Sequence, residues 1–71
     1  MKVSELVGVM TPKTYLQIGY NTHEKLYFGY SMNAPENLLK KEVYCILPFS
    51  ERYVDNGYVK TRLIIKAILE D

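Results

Sequence analysis

The chain has 71 residues, which is room for one domain, residues 1–71, and no more. Nine Lys and Arg against eight Asp and Glu leave it almost neutral, without the basic excess of a dedicated duplex-DNA binder. A single cysteine, Cys45, and a single histidine, His23, exclude an internal disulfide framework and a four-ligand zinc site.

A domain of this size buries only about 60% of the surface its unfolded chain exposes, so its core is thin. With disulfides and metal set aside, self-association is the remaining common support, and a homo-oligomer is favoured. No apolar run approaches a membrane span, and Met1-Lys2-Val3-Ser4-Glu5 lacks the hydrophobic stretch of a signal peptide. A free thiol without an export signal fits a reducing compartment. The expectation is a soluble cytoplasmic protein with no membrane partner.

The first segment has helical spacing. Val3, Leu6, Val7 and Met10 fall at i, i+3, i+4 and i+7, on one face. Ser4 is the expected N-cap with Glu5 in the first turn, and Pro12 stops the helix. From Thr14 to Tyr20 the pattern alternates, with Leu16, Ile18 and Tyr20 opposite Tyr15, Gln17 and Gly19. Asn21 to Glu24 reads as a turn. Lys25 to Ser31 alternates again, with Leu26, Phe28 and Tyr30 against Tyr27 and Gly29, which makes a β-hairpin.

Pro35 opens a short helix to Lys40, with Glu36 at its positive end, Lys40 and Lys41 at its negative end, and Leu38 and Leu39 to bury. Glu42 to Leu47 is a third strand, with Val43, Cys45 and Leu47 on one face and Tyr44 and Ile46 on the other. Pro48 marks an edge or a bend, and Phe49 to Val54 carries the strand on. Asp55-Asn56-Gly57 is the strongest hairpin signal, because Asn-Gly readily takes the positive φ angles of a type I′ turn. Tyr58 to Leu69 is a long last strand. The predicted fold is α+β: a four-stranded antiparallel sheet of two hairpins, with two short helices packed on one face.

Catalysis needs convergent groups, and the chain places none together. His23 falls in a turn with no nucleophile beside it. Cys45 shares the apolar parity of Val43 and Leu47, the setting of a buried structural thiol rather than a reactive one. The carboxylates are scattered through turns and ends, and the glycines at 8, 19, 29 and 57 form no phosphate loop. The expectation is a protein that is not an enzyme and uses no cofactor or metal.

Tyrosine is the feature that remains: seven, with no tryptophan. If Leu16/Ile18, Leu26/Phe28, Val43/Cys45 and Leu63/Ile65 face the helices, the opposite face collects Tyr15, Gln17, Tyr27, Tyr44, Ile46, Tyr58, Lys60, Arg62, Ile64 and Lys66. Tyrosines form and pair strands well, which alone accounts for some of them. An exposed face this rich in apolar rings is nevertheless what interaction sites offer. A protein partner, either a second copy of the chain or another protein, is favoured. The alternative is a single strand of nucleic acid or a nucleotide, stacked on tyrosine and held by Lys60, Arg62 and Lys66.

Met-Lys-Val-Ser-Glu-Leu at residues 1 to 6, and the connection Pro35-Glu36-Asn37-Leu38-Leu39-Lys40-Lys41-Glu42-Val43, resemble segments of small phage and prophage proteins of Gram-positive bacteria. In those, a short N-terminal helix precedes an alternating strand. The chain departs from them in being less acidic and richer in tyrosine. The resemblance implies a small accessory protein of the kind that inhibits or redirects a host protein, or binds a nucleotide signal, and it carries over no functional residue.

Overall fold

The structure is a computed structural model that describes residues 1–71. Helix α1 spans Val3–Val9, and Val3, Leu6, Val7 and Met10 all meet the core, as their spacing predicts. The N-cap is Lys2, not Ser4. The Lys2 N–H donates to Glu5 Oε1 at 2.8 Å, so a carboxylate reaching back from the first turn satisfies the donor there.

Strands β1 (Tyr15–Gly19) and β2 (Tyr27–Tyr30) form the first hairpin, in register from Tyr15↔Tyr30 to Ile18↔Tyr27. A 3₁₀ turn, Ser31–Asn33, follows. It is tied down by Ser31 Oγ, which donates to the carbonyls of Thr11 and Pro12. Helix α2 is a single turn, Glu36–Leu39, with Pro35 as its N-cap rather than its first residue. Strands β3 (Val43–Asp55) and β4 (Tyr58–Leu69) complete the fold. Asn56 (φ 51°) and Gly57 (φ 81°) make the expected two-residue turn between them, with both central residues in the left-handed region.

The sheet order is β2-β1-β4-β3. Both predicted hairpins are present, but their junction corrects the fully antiparallel expectation: β1 and β4 run parallel, from Tyr15↔Ile64 to Gly19↔Ile68. The cause is the connection. Residues 31 to 42 carry the chain through the 3₁₀ turn and α2 back along the sheet, so β3 starts again in the direction of β2 instead of turning tightly beside it. The fold is therefore α+β with a mixed four-stranded sheet.

Both helices lie on one sheet face. Val3, Leu6 and Leu38 pack against Leu16, Ile18, Val43, Ala67 and Leu69, with Met10, Tyr27 and Ile65 at the margin. Each such aliphatic side chain contributes about 1.5–3 kcal/mol on burial, so a core this small leaves little reserve.

Strand β1 pairs with β4 only from Ile64 to Ile68, whereas β3 and β4 stay paired out to Asp55↔Tyr58. Beyond the row Tyr15–Ile64–Phe49, β3 and β4 continue alone as a two-stranded arm, and the molecule measures 39 × 22 × 16 Å. No helix is long and apolar enough to cross a membrane.

Candidate functional site: the sheet face opposite the helices

Strand pairing decides which side chains share the face away from the helices. Counting across the paired strands places Tyr15, Gln17, Arg62, Ile64 and Lys66 there, with Tyr58 and Lys60 on the arm. Three expected members lie elsewhere. Ile46 pairs with Ala67 and Tyr27 with Ile18, so both lie on the helix side. Tyr44 sits at an irregularity between Val43 and Cys45, opposite no residue of β4, and is 73% exposed.

Two physical causes shift these residues. The bulge adds one residue to β3, which reverses the side of everything after it. Cys45, expected in the core, consequently lies on the uncovered face with Leu47 and Phe49, half-buried. In the first hairpin, the loop runs from Tyr20 to Leu26 and sets Gln17 opposite Phe28. Phe28 and Tyr30 thereby take the uncovered side, and Tyr27 turns toward the core. The Tyr27 ring lies across Gly29 and its hydroxyl donates to the Tyr30 carbonyl at 2.5 Å.

The resulting face is organised around Arg62. Its guanidinium carbon lies 4.5 Å from the centre of Tyr15, 4.8 Å from Tyr53 and 5.2 Å from Phe28. Tyr15 also stacks on Phe28 at 6.0 Å and meets Tyr30 at 5.1 Å. Glu51, directly across the ladder, accepts a 2.7 Å bond from the guanidinium. That bond pushes the Arg62 pKa up, while partial desolvation opposes it, so the group stays charged at every relevant pH. The Tyr30 hydroxyl is also raised, first by its hydrogen bond with Tyr15.

The other cations are engaged as well. Lys60 pairs with Asp55 at 2.9 Å. Lys66 lies 4.3 Å above Phe49 and donates to the Thr22 carbonyl at 3.0 Å. Lys25 sits 4.9 Å from the Phe28 centroid. Beneath these side chains Ile64 is only 2% exposed although no helix covers it. Long basic side chains lying flat on rings supply a thin second layer, their stems apolar and their heads wet.

Gln17 closes one end of the face. It is 3% exposed, and its Nε2 donates to the carbonyls of Thr22 and Glu24. Asn21 Oδ1 accepts from the His23 and Glu24 N–H groups, and Glu24 Oε1 from the Tyr20 N–H. His23 is thus an exposed part of a loop held by its polar neighbours. At the same end of the sheet, Tyr20, Tyr44, Ile68, Leu69, Glu70 and Asp71 line an open cleft of about 550 Å³.

Phe28, Tyr30, Phe49, Glu51 and Tyr53 are the members that sequence reasoning missed. A usable signal existed for three of them. Counting outward from the Asn56-Gly57 turn places Tyr53 opposite Lys60, Glu51 opposite Arg62 and Phe49 opposite Ile64, all on one side.

No family model, curated protein or solved structure matches the chain.

Proposed function

We propose that this chain is a small non-catalytic binding protein that engages a partner protein through the sheet face around Arg62. One observation carries the reading: the charges of that face are spent inside it. Arg62 and Lys60 each hold a carboxylate, and Lys66 holds a loop carbonyl. What the face offers outward is aromatic and aliphatic surface, Tyr30, Leu47 and Phe49 among it, with polar tips at the rim. Such a composition suits the desolvated centre of a protein interface, where rings and a stacked arginine dominate. The phage-type resemblance of residues 1 to 6 and 35 to 43 supports a host protein as that partner, inhibited or redirected by the contact.

The test is cross-linking of the wild-type chain in host lysate, followed by binding of the recovered protein in purified form. Tyr30→Glu and Phe49→Glu should each weaken purified binding at least tenfold, and His23→Glu, on the loop, should not. Binding that ignores both face substitutions would overturn the reading.

The second reading, a single-stranded nucleic acid or nucleotide on the same face, draws on Lys25, an exposed cation beside the Phe28 ring, and on the exposed Tyr30 ring of the same strand. It requires affinity for an oligonucleotide that falls steeply with salt.

A further inference from the structure

We infer that the free edge of β3 pairs with the same edge of a second copy of this chain, joining two sheets into one of eight strands. The inference stands apart from the proposed partner face, because it concerns the strand edge rather than the ring-covered surface.

Apolar side chains are exposed on both faces of β3: Ile46 and Val54 on the helix side, Leu47 and Phe49 on the other. A partner docked on either face would cover only one set. A strand laid alongside β3 gives both sets cross-strand neighbours at once. The arm points the same way, since beyond Phe49 and Ile64 it is a two-stranded ribbon without a third strand, an arrangement of marginal stability in water.

The occupant follows from the two edges of the sheet. β3 is 13 residues long, whereas β2, at the opposite edge, has four. Pairing β3 with its own copy about a two-fold axis consumes both long edges and leaves only two short ones outside, a closed assembly that cannot propagate. A chain this small, with one free cysteine, gains the third strand its arm lacks.

The pairing segment is set by phase. Asp55 and Tyr58 close a two-residue turn and are a hydrogen-bonded pair, so Tyr53 and Glu51 point their backbone groups toward β4. Ser50, Arg52 and Val54 point theirs outward, as does Pro48, which has no N–H to offer. Pairing about a two-fold axis at Ser50 therefore runs along Ile46–Val54, setting Ile46 opposite the second copy's Val54 and Pro48 opposite its Arg52, with the proline costing one bond.

The experiment is light scattering with amide exchange by NMR on the full chain. The expected mass is twice 8.3 kDa, and the Ser50, Arg52 and Val54 amides should be protected increasingly with concentration, alongside the constitutively protected Glu51 and Tyr53 amides. Arg52→Pro removes an outward donor without touching the β4 ladder. It should give a monomer that keeps Glu51 and Tyr53 protected. A wild-type mass of 8.3 kDa at millimolar concentration overturns the inference. So does a dimer whose Ser50, Arg52 and Val54 amides exchange freely, or one that survives Arg52→Pro. Should Arg52→Pro unfold the chain, the wild-type alternation of protected and free amides decides. Tyr30→Glu, which tests the partner face, leaves the mass unchanged, so the two proposals fail independently.

Discussion

Arg62 lays its guanidinium 4.5 Å from the centre of the Tyr15 ring while bonding Glu51 across the ladder. One side chain from β4 thus ties β1 to β3 over the face that no helix covers. The Arg62 side chain is a quarter exposed and Glu51 a third, so the ion pair itself contributes little, and ring contact with the packed stem supplies most of the effect. Arg62→Ala should cost about 1–2 kcal/mol in urea denaturation. Arg62→Lys should recover less than half of that, because an ammonium has no plane to stack. Full recovery by lysine would show that charge alone matters.

The two glycines of the first hairpin should respond differently to a methyl group. A Cβ on Gly19 would run into the Glu24 carbonyl oxygen, which is backbone. A Cβ on Gly29 would meet the Tyr27 hydroxyl at 2.7 Å, the far end of a side chain that can swing away. Gly19→Ala is expected to cost about 1–3 kcal/mol and Gly29→Ala less, measured as shifts of the urea midpoint. The reverse order would contradict the packing described for the loop.

Gln17 holds the loop rather than the ligand. Gln17→Leu keeps the volume but withdraws the donors that reach Thr22 and Glu24. The expected loss is about 1–2 kcal/mol, with faster amide exchange confined to the loop between β1 and β2. Unchanged exchange there would rule out the latch.

Tyr30 should titrate above the ordinary tyrosine value of 10.0. The folded state holds the phenol proton more tightly than the unfolded state. Its contribution to stability is complete below pH 10.0 and is lost as pH rises through the folded value. Ring-labelled tyrosine NMR would resolve this resonance. Tyr15→Phe removes the first cause and should return Tyr30 toward its usual range; a Tyr30 curve indifferent to that substitution would deny the hydrogen bond between them.

Much of the fold is legible in local patterns. Val3, Leu6, Val7 and Met10 announce a helix face, and Asn56-Gly57 announces a hairpin whose second strand runs from Tyr58 to Leu69 as the alternation reads. The candidate site was only half legible. Tyr15, Gln17, Arg62, Ile64 and Lys66 share a face as expected, because each lies in an unbroken alternation. Tyr27, Tyr44 and Ile46 leave it because a bulge and a loop of unforeseen length each shift a strand by one residue, and in a sheet one residue reverses the side.

Sequence alone determined where strands and helices form, since periodicity and turn chemistry act over a few neighbouring residues. Tertiary structure decided that β1 and β4 run parallel, that Cys45 leaves the core for the opposite face, and that Arg62 gathers Tyr15, Phe28 and Tyr53. Those outcomes depend on pairing between segments far apart in the chain. Burying Leu16, Ile18, Ala67 and Leu69 under two short helices selects that pairing, and no local pattern encodes it.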